Sequence, residues 1–205
     1  MANVGNVLVL IETTAEGAPK STAAGLLGAA AGLGTPVAVA VTAPGQSGNL
    51  AADLGALGAG QVYLAESESA ATELGSAAVG ALADAVQAFS APVVLLSATN
   101  DSKAVAGRLA IVAGGSVASD VVGIAYDEEG QEVIASHAVF GGDFTTESTI
   151  EGGLFIATVR PGSIEARAEA VASPEVTTAA VSTQAAKGAV IDAASEAPAS
   201  SDRPA

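Results

Sequence analysis

Few side chains in this sequence are equipped for chemistry, and their spacing narrows the choice. There are no cysteines, which excludes disulfides, thiolate metal sites and a thiol nucleophile. Their absence fits a reducing compartment. The single histidine, His137, cannot build a multi-histidine metal centre, and no Asp/Glu spacing matches a calcium loop. Neither a glycine–lysine–Ser/Thr phosphate loop nor a Gly-x-Ser-x-Gly elbow occurs. The best-equipped segment is Ser97-Ala98-Thr99-Asn100-Asp101-Ser102-Lys103. It leads from a predicted strand into a predicted helix, and ligands of open parallel sheets bind at such strand ends. Free helix amides, the Thr99 and Ser102 hydroxyls and the Lys103 charge suit an anion there. A plainer account is favoured: Asn100 or Asp101 caps the helix, while Lys103 and Arg108 are solvated or paired with acids.

Two other groups suit protein contact. Phe140 and Phe144, half of the four phenylalanines, flank Gly141 and Gly142. Large aromatics anchor interfaces, and glycines let another backbone come close. Ordinary core packing is the alternative, and strand alternation would set both rings on one face. Arg160, Pro161 and Gly162 end a strand, where an exposed arginine can meet a partner carboxylate or carbonyl.

The elements that must position these groups alternate through the first two-thirds of the chain. Strands are predicted at 7–11, 37–41, 61–65 and 93–97. Between and after them come helices at 20–33, 49–57, 70–89 and 101–113. Leu74, Ala78, Leu82 and Val86 share one face of the third helix. Such alternation means parallel strands with right-handed crossovers. The glycines at 25, 28, 32 and 34 fall in or beside the first helix rather than in a strand-to-helix turn. They read as close-packing positions, not as a dinucleotide fingerprint. After residue 116 four strand-like runs follow at short spacing: 117–126, 132–140, 145–150 and 154–159. These predict antiparallel hairpins. The expected fold is α/β: a mainly parallel Rossmann-like sheet of the adenine nucleotide alpha hydrolase type, with helices on both faces and a β-rich antiparallel extension. Residues 1–165 form the domain. Residues 166–205 are a linker or tail, with one candidate strand at 176–181 and an Ala/Ser/Pro/acid-rich end from 193.

The formal charge is −15, from 7 basic and 22 acidic residues. Nucleic acid is repelled by such a chain. An acidic excess serves solubility, or marks a face for a basic partner. The apolar run at 7–11 is too short to span a bilayer and follows no basic segment, so neither export nor membrane insertion is expected.

Three stretches carry a family resemblance: Ser119-Asp120-Val121-Val122, the segment from Ser136-His137 to Phe144, and Ile156-Ala157-Thr158-Val159-Arg160-Pro161-Gly162. Their order resembles the electron-transfer flavoprotein alpha subunit, N-terminal domain. The opening Val7-Leu8-Val9-Leu10-Ile11-Glu12 and the segments 97–103 and 106–110 resemble it too. The match covers nearly all of residues 5–165. Many members have Arg-Pro-x-Tyr-Ala-Gly-Asn where this chain has 137–144; the Phe-Gly-Gly variant resembles an actinobacterial subgroup. In the family, a C-terminal domain follows a Ser-Asp-Arg-Pro-like stretch and binds FAD. Here Ser201-Asp202-Arg203-Pro204-Ala205 ends the sequence, so that domain is expected to be absent, with no FAD on this chain alone.

The resemblance implies a non-enzymatic, bacterial cytoplasmic electron carrier. Its partner is a beta subunit, its donors are dehydrogenases such as acyl-CoA dehydrogenases, and its acceptor is a quinone oxidoreductase. The implied contact residues are Phe140, Gly141, Gly142, Phe144, Arg160, Pro161 and Gly162. A rival reading is a stand-alone nucleotide module of the universal-stress-protein type. Its signature requires two glycines where this chain has Ser102 and Val105, so the phosphate cradle is missing. A hydrolase lacks a placed nucleophile and base.

Overall fold

The structure is a computed structural model that describes residues 3–191 except 71 and 186. Strands and helices alternate: β1 (Asn6–Ile11), α1 (Thr22–Leu33), β2 (Thr35–Thr42), α2 (Leu50–Ala56), β3 (Gln61–Glu66), α3 (Ser76–Phe89), β4 (Val93–Ser97), α4 (Asn100–Ala113) and β5 (Gly115–Val121). Three short strands follow, β6 (Gly123–Asp127), β7 (Glu132–Val139) and β8 (Phe144–Ser148), then β9 (Leu154–Val159) and β10 (Glu175–Ala180). Seven strands make one sheet in the order β10-β3-β2-β1-β4-β9-β5, and every neighbour pair runs parallel. The order reverses beside β1, where Leu8 aligns with Val37 on one side and Val94 on the other.

The predicted α/β class holds, and so does burial of the central strands on both faces. All five residues Val7–Ile11 are buried, as unbroken apolar runs of parallel strands must be. One face of the sheet packs against Leu26, Leu27, Leu50 and Leu54 of α1 and α2. The other packs against Val79, Leu82, Val105 and Leu109 of α3 and α4. Both layers are built from small aliphatics.

Two expectations need correction. The antiparallel part is smaller than the four runs suggested. Only β6, β7 and β8 form an antiparallel sheet, while β5 and β9 pair parallel inside the main sheet. The reason is that β6–β8 replaces a helix as the crossover between β5 and β9. Adjacent spacings therefore underestimate the length of that connection. The third helix also starts later than predicted, at Ser76, after Gly75 in a left-handed turn at φ 73°. Leu74 lies outside it and is largely exposed rather than on its buried face.

Beyond residue 165 the described chain, as far as Ile191, stays on the domain. It crosses α1 and α2, adds β10 beside β3, and returns over α3. Bare backbone makes this wrap possible. A Cβ at Gly28 would lie 2.1 Å from the Ala166 carbonyl oxygen, and one at Gly80 would lie 2.4 Å from that of Thr183. The close-packing reading of the α1 glycines thus holds at Gly28, and also at Gly34, where a Cβ would meet the Gly5 carbonyl at 2.1 Å. It fails at Gly32, which faces open space. The predicted tail from 193 lies outside the described residues.

Candidate functional site

The carboxyl edge of the sheet is where ligands of such folds sit, and here the chain fills it with its own groups. Thr99, not Asn100 or Asp101, is the N-cap of α4; its Oγ1 accepts the Ser102 amide at 3.2 Å. The same hydroxyl donates to Glu12 Oε1 at 2.7 Å, and the Ser102 hydroxyl donates to that oxygen at 3.1 Å. Lys20 Nζ stands 3.9 Å from Glu12 Oε2. Glu12 follows β1 directly, and β1 lies beside β4, so residues just past these two strand ends must meet. A carboxylate therefore occupies the position in which a phosphate would use the hydroxyls of the turn. Lys103 is exposed, while Arg108 donates to the Leu74 carbonyl and the Ser76 hydroxyl, both at 3.3 Å. Sequence reasoning found the turn but missed its anion. The signal was available, since Glu12 is the first charge after an apolar strand.

Across β4, the end of β9 is tied to β5. A bulge between Ala118 and Val121 breaks the register of β5 with β9, and Asp120 sits there at φ 58°. Its amide donates to Thr158 Oγ1 at 3.0 Å. Its carboxylate receives Arg160 Nε at 3.2 Å and Nη2 at 2.7 Å, a bidentate pair. The predicted arginine is thus already engaged within the chain. Both side chains remain partly exposed, Arg160 at 42% and Asp120 at 44%. Pro161 and Gly162 line a cavity of about 20 Å³ with Ser97, whose buried hydroxyl has no protein partner. That space suits a single water molecule.

The Arg160 hydrogen bonds, opposed by a smaller burial effect, hold the Asp120 carboxyl below its ordinary range. A depressed folded-state value contributes stability above the unfolded carboxylate pKa, and that contribution is lost as pH falls through the folded value. Exposure keeps the contribution small. Arg160→Ala is expected to raise the Asp120 pKa toward that of an unpaired carboxylate, leaving the fold intact. An NMR titration of the Asp120 carboxyl carbon checks this; an unchanged midpoint would mean the pair does not persist in solution.

Phe140 and Phe144 lie at the far end of the small sheet. Val139 pairs with Phe144 across the hairpin, so residues 140–143 form its turn rather than a continuing strand. The two rings do meet, edge to face at 6.0 Å and 81°. They reach each other across a turn, not by alternation along one strand. Neither is core: Phe140 is 81% exposed and Phe144 63%. His137 bridges the two sheets, with Nδ1 3.2 Å from the Ser119 carbonyl and Nε2 2.8 Å from the Ser148 hydroxyl. The structure therefore separates the predicted contact residues into two groups, one at the hairpin tip and one at the end of β9.

Among the described residues no group of three or more His, Cys, Asp or Glu side chains is placed to hold a metal ion. Nor is any described helix long and apolar enough to cross a membrane.

Comparison with known proteins gives one consistent answer. Residues 7–184 match the model of the electron transfer flavoprotein domain. The chain is 40% identical over 173 residues to electron transfer flavoprotein subunit alpha of Mycobacterium tuberculosis, covering 84% of this chain and 52% of that protein. It is 40% identical over 164 residues to the subunit of the same name from Mycobacterium leprae, covering 80% and 50%. The chain spans about half the length of the curated relatives it matches. On the strength of that match, which runs from β1 through β10, and of the 40% identity, this chain belongs to the electron transfer flavoprotein domain family.

Proposed function

We infer that this chain is the N-terminal part of an electron transfer flavoprotein alpha subunit and serves as a scaffold rather than as the redox centre. The observation that carries the reading is the Glu12 carboxylate at the start of α4. In an open parallel sheet, a dinucleotide pyrophosphate is held at such a helix start. Here a second anion would be repelled, and the glycines of a phosphate cradle are absent. The described residues do not fit FAD, and no step is assigned to it on this chain. In the assembled protein, FAD supplies the electron chemistry while the protein positions it.

The scaffold's partner is a beta subunit, met through Phe140, Gly141, Gly142 and Phe144, with Arg160, Pro161 and Gly162 as the second contact group. Arg160 acts there by holding Asp120 in place. Electrons pass from dehydrogenases such as acyl-CoA dehydrogenases to a quinone oxidoreductase in the bacterial cytoplasm, and this chain has no catalytic site of its own. Support comes from the relatives' names and from an exposed aromatic pair that the chain's own fold does not use.

The purified chain is expected to be colourless and to bind the beta subunit. A flavin absorbance band that survives desalting, or a calorimetric titration with no heat of beta-subunit binding, would overturn the reading.

A further inference from the structure

Glu12 uses only one of its two carboxylate oxygens at the start of α4. Oε1 accepts the Thr99 and Ser102 hydroxyls, whereas Oε2 is buried without a hydrogen-bond partner. The Lys20 ammonium beside Oε2 stands at 3.9 Å and is half exposed, too far for a hydrogen bond. Thr42, the last residue of β2, repeats the pattern. It is only 9% exposed, and its Oγ1 also lacks a partner. Buried polar atoms left unpaired cost free energy, and each calls for a cause. These two lie at the carboxyl ends of directly paired parallel strands, β1 and β2, the sheet edge where ligands bind.

Each residue lines a cavity. Glu12 belongs to one of about 200 Å³, with Leu10, Val41, Ala78 and Val105 as its apolar wall. Its charged groups are Glu12, Asp101 and Lys20. Thr42 belongs to a cleft of about 310 Å³, together with Glu16, Gln46 and Leu50. Strand alternation sets Thr42 on the face of β2 that buries Ala38 and Ala40, against which Leu50 also packs. Its side chain therefore points toward the cleft. Thr13 and Val41 line both spaces, so the two adjoin over the strand ends. Three carboxylates and one lysine make the joint lining negative, and no cation lines the cleft.

The lining selects its occupant. Ionised Glu12 Oε2 only accepts hydrogen bonds, and the Thr42 hydroxyl accepts as well as donates. An anion is repelled by Glu12, Asp101 and Glu16. A neutral polyol leaves those charges uncompensated, and a monoamine serves one end alone. A chain with an ammonium at each end meets both ends and lays its methylenes along Leu10 and Val41. We propose that the adjoining cavities bind a small aliphatic diamine, one ammonium toward Glu12 Oε2 and the other toward Glu16 and the Thr42 hydroxyl. The site is made by this chain alone and stands apart from the subunit reading.

The test is a calorimetric titration of the full chain with putrescine at about 50 mM NaCl, where screening is weak. Butylamine and butanediol serve as comparators. Putrescine is expected to bind at one site, butylamine about tenfold more weakly for want of one charged contact, and butanediol not at all. E16Q and T42V should each weaken putrescine binding about fivefold or more, with circular dichroism confirming the fold. E129Q, in the turn between β6 and β7, should change nothing. Amide NMR shifts on binding should fall at Thr13–Lys20 and Thr42–Gln46. Putrescine binding that E16Q and T42V leave unchanged would be mere attraction to a chain of charge −15 and would overturn the site. So would the absence of binding at millimolar putrescine.

Discussion

Replacing Asp84 with alanine is expected to release the returning segment at Ser182 and Thr183 from α3 and cost about 2–4 kcal/mol, on the basis that hydrogen bonds to a charged group each contribute about 1.5–3 kcal/mol and are not additive. Among the described residues, Asp84 is the carboxylate that gathers the returning strap. It accepts the Ser182 amide at 2.7 Å and hydroxyl at 2.9 Å, and the Thr183 amide at 3.1 Å and hydroxyl at 2.5 Å. The partners lie 98 and 99 residues away along the chain. Apolar packing shares the work only through Ala179, Val181 and Ala185 among the described residues, since β10 is exposed at five of its six positions. Beyond Thr183 the strap is held by the Gly188 amide on Ser76 Oγ and by backbone bonds from Leu74 to Ala189 and from Ile191 to Thr72.

Burial pushes the Asp84 carboxyl up, but the hydrogen bonds from Thr183 and Ser182 together outweigh it, and the net shift is downward. The sign follows. The contribution of Asp84 is complete above the unfolded aspartate pKa, about 3.9, and fades as pH falls through the lower folded value. Urea unfolding at neutral pH measures the loss, and hydrogen exchange locates it. Amides of Val181–Ile191 should lose protection in Asp84→Ala while those of β1 and β4 keep theirs. Unchanged protection at 181–191 would show that backbone bonds alone hold the strap.

Asp84 also illustrates what the sequence could not display. The central strands and their helices were legible because local periodicity and burial agree there: Val93–Leu96 is apolar throughout, and all of Val93–Ser97 is buried. Long-range returns leave no such mark. Nothing near Asp84 announces Ser182, and little in Leu154–Val159 distinguishes a hairpin strand from a central parallel one. The only hint for β9 is that all six of its positions suit burial, whereas β8, with Thr145, Thr146 and Glu147, does not. The site was half legible for the same reason. The Thr99–Ser102 turn is local. Its filling by Glu12 depends on β1 and β4 being neighbours, which is a fact of topology. Arg160 was found at its strand end, but Asp120, forty residues earlier, was recognised only as part of a motif, not as its partner.

The second large effect is expected at Glu12, and it separates the scaffold reading from a nucleotide-binding one. In the native chain this carboxylate accepts both hydroxyls of the turn and lies at the positive end of α4. Glu12→Ala removes the acceptor and the favourable charge together, and should cost about 2 kcal/mol by the measure used for charge-assisted bonds. Lys20, half exposed, returns to water at little cost. The substitution also vacates the helix start: the Thr99 and Ser102 hydroxyls then have no anion, and Lys103 stands exposed nearby. A helix N-terminus in that state attracts phosphate. The native chain is therefore expected to bind no AMP or ATP at millimolar concentration, while Glu12→Ala gains weak affinity for both and for inorganic phosphate. Glu12→Gln should lose stability but gain less affinity, because its amide still fills the space. Calorimetric titration of the three proteins decides the matter, with Lys103→Ala as a fourth. If the native chain binds an adenine nucleotide and Lys103→Ala abolishes that binding, Glu12 is not a plug but part of a working site, and the scaffold reading gives way to a nucleotide sensor.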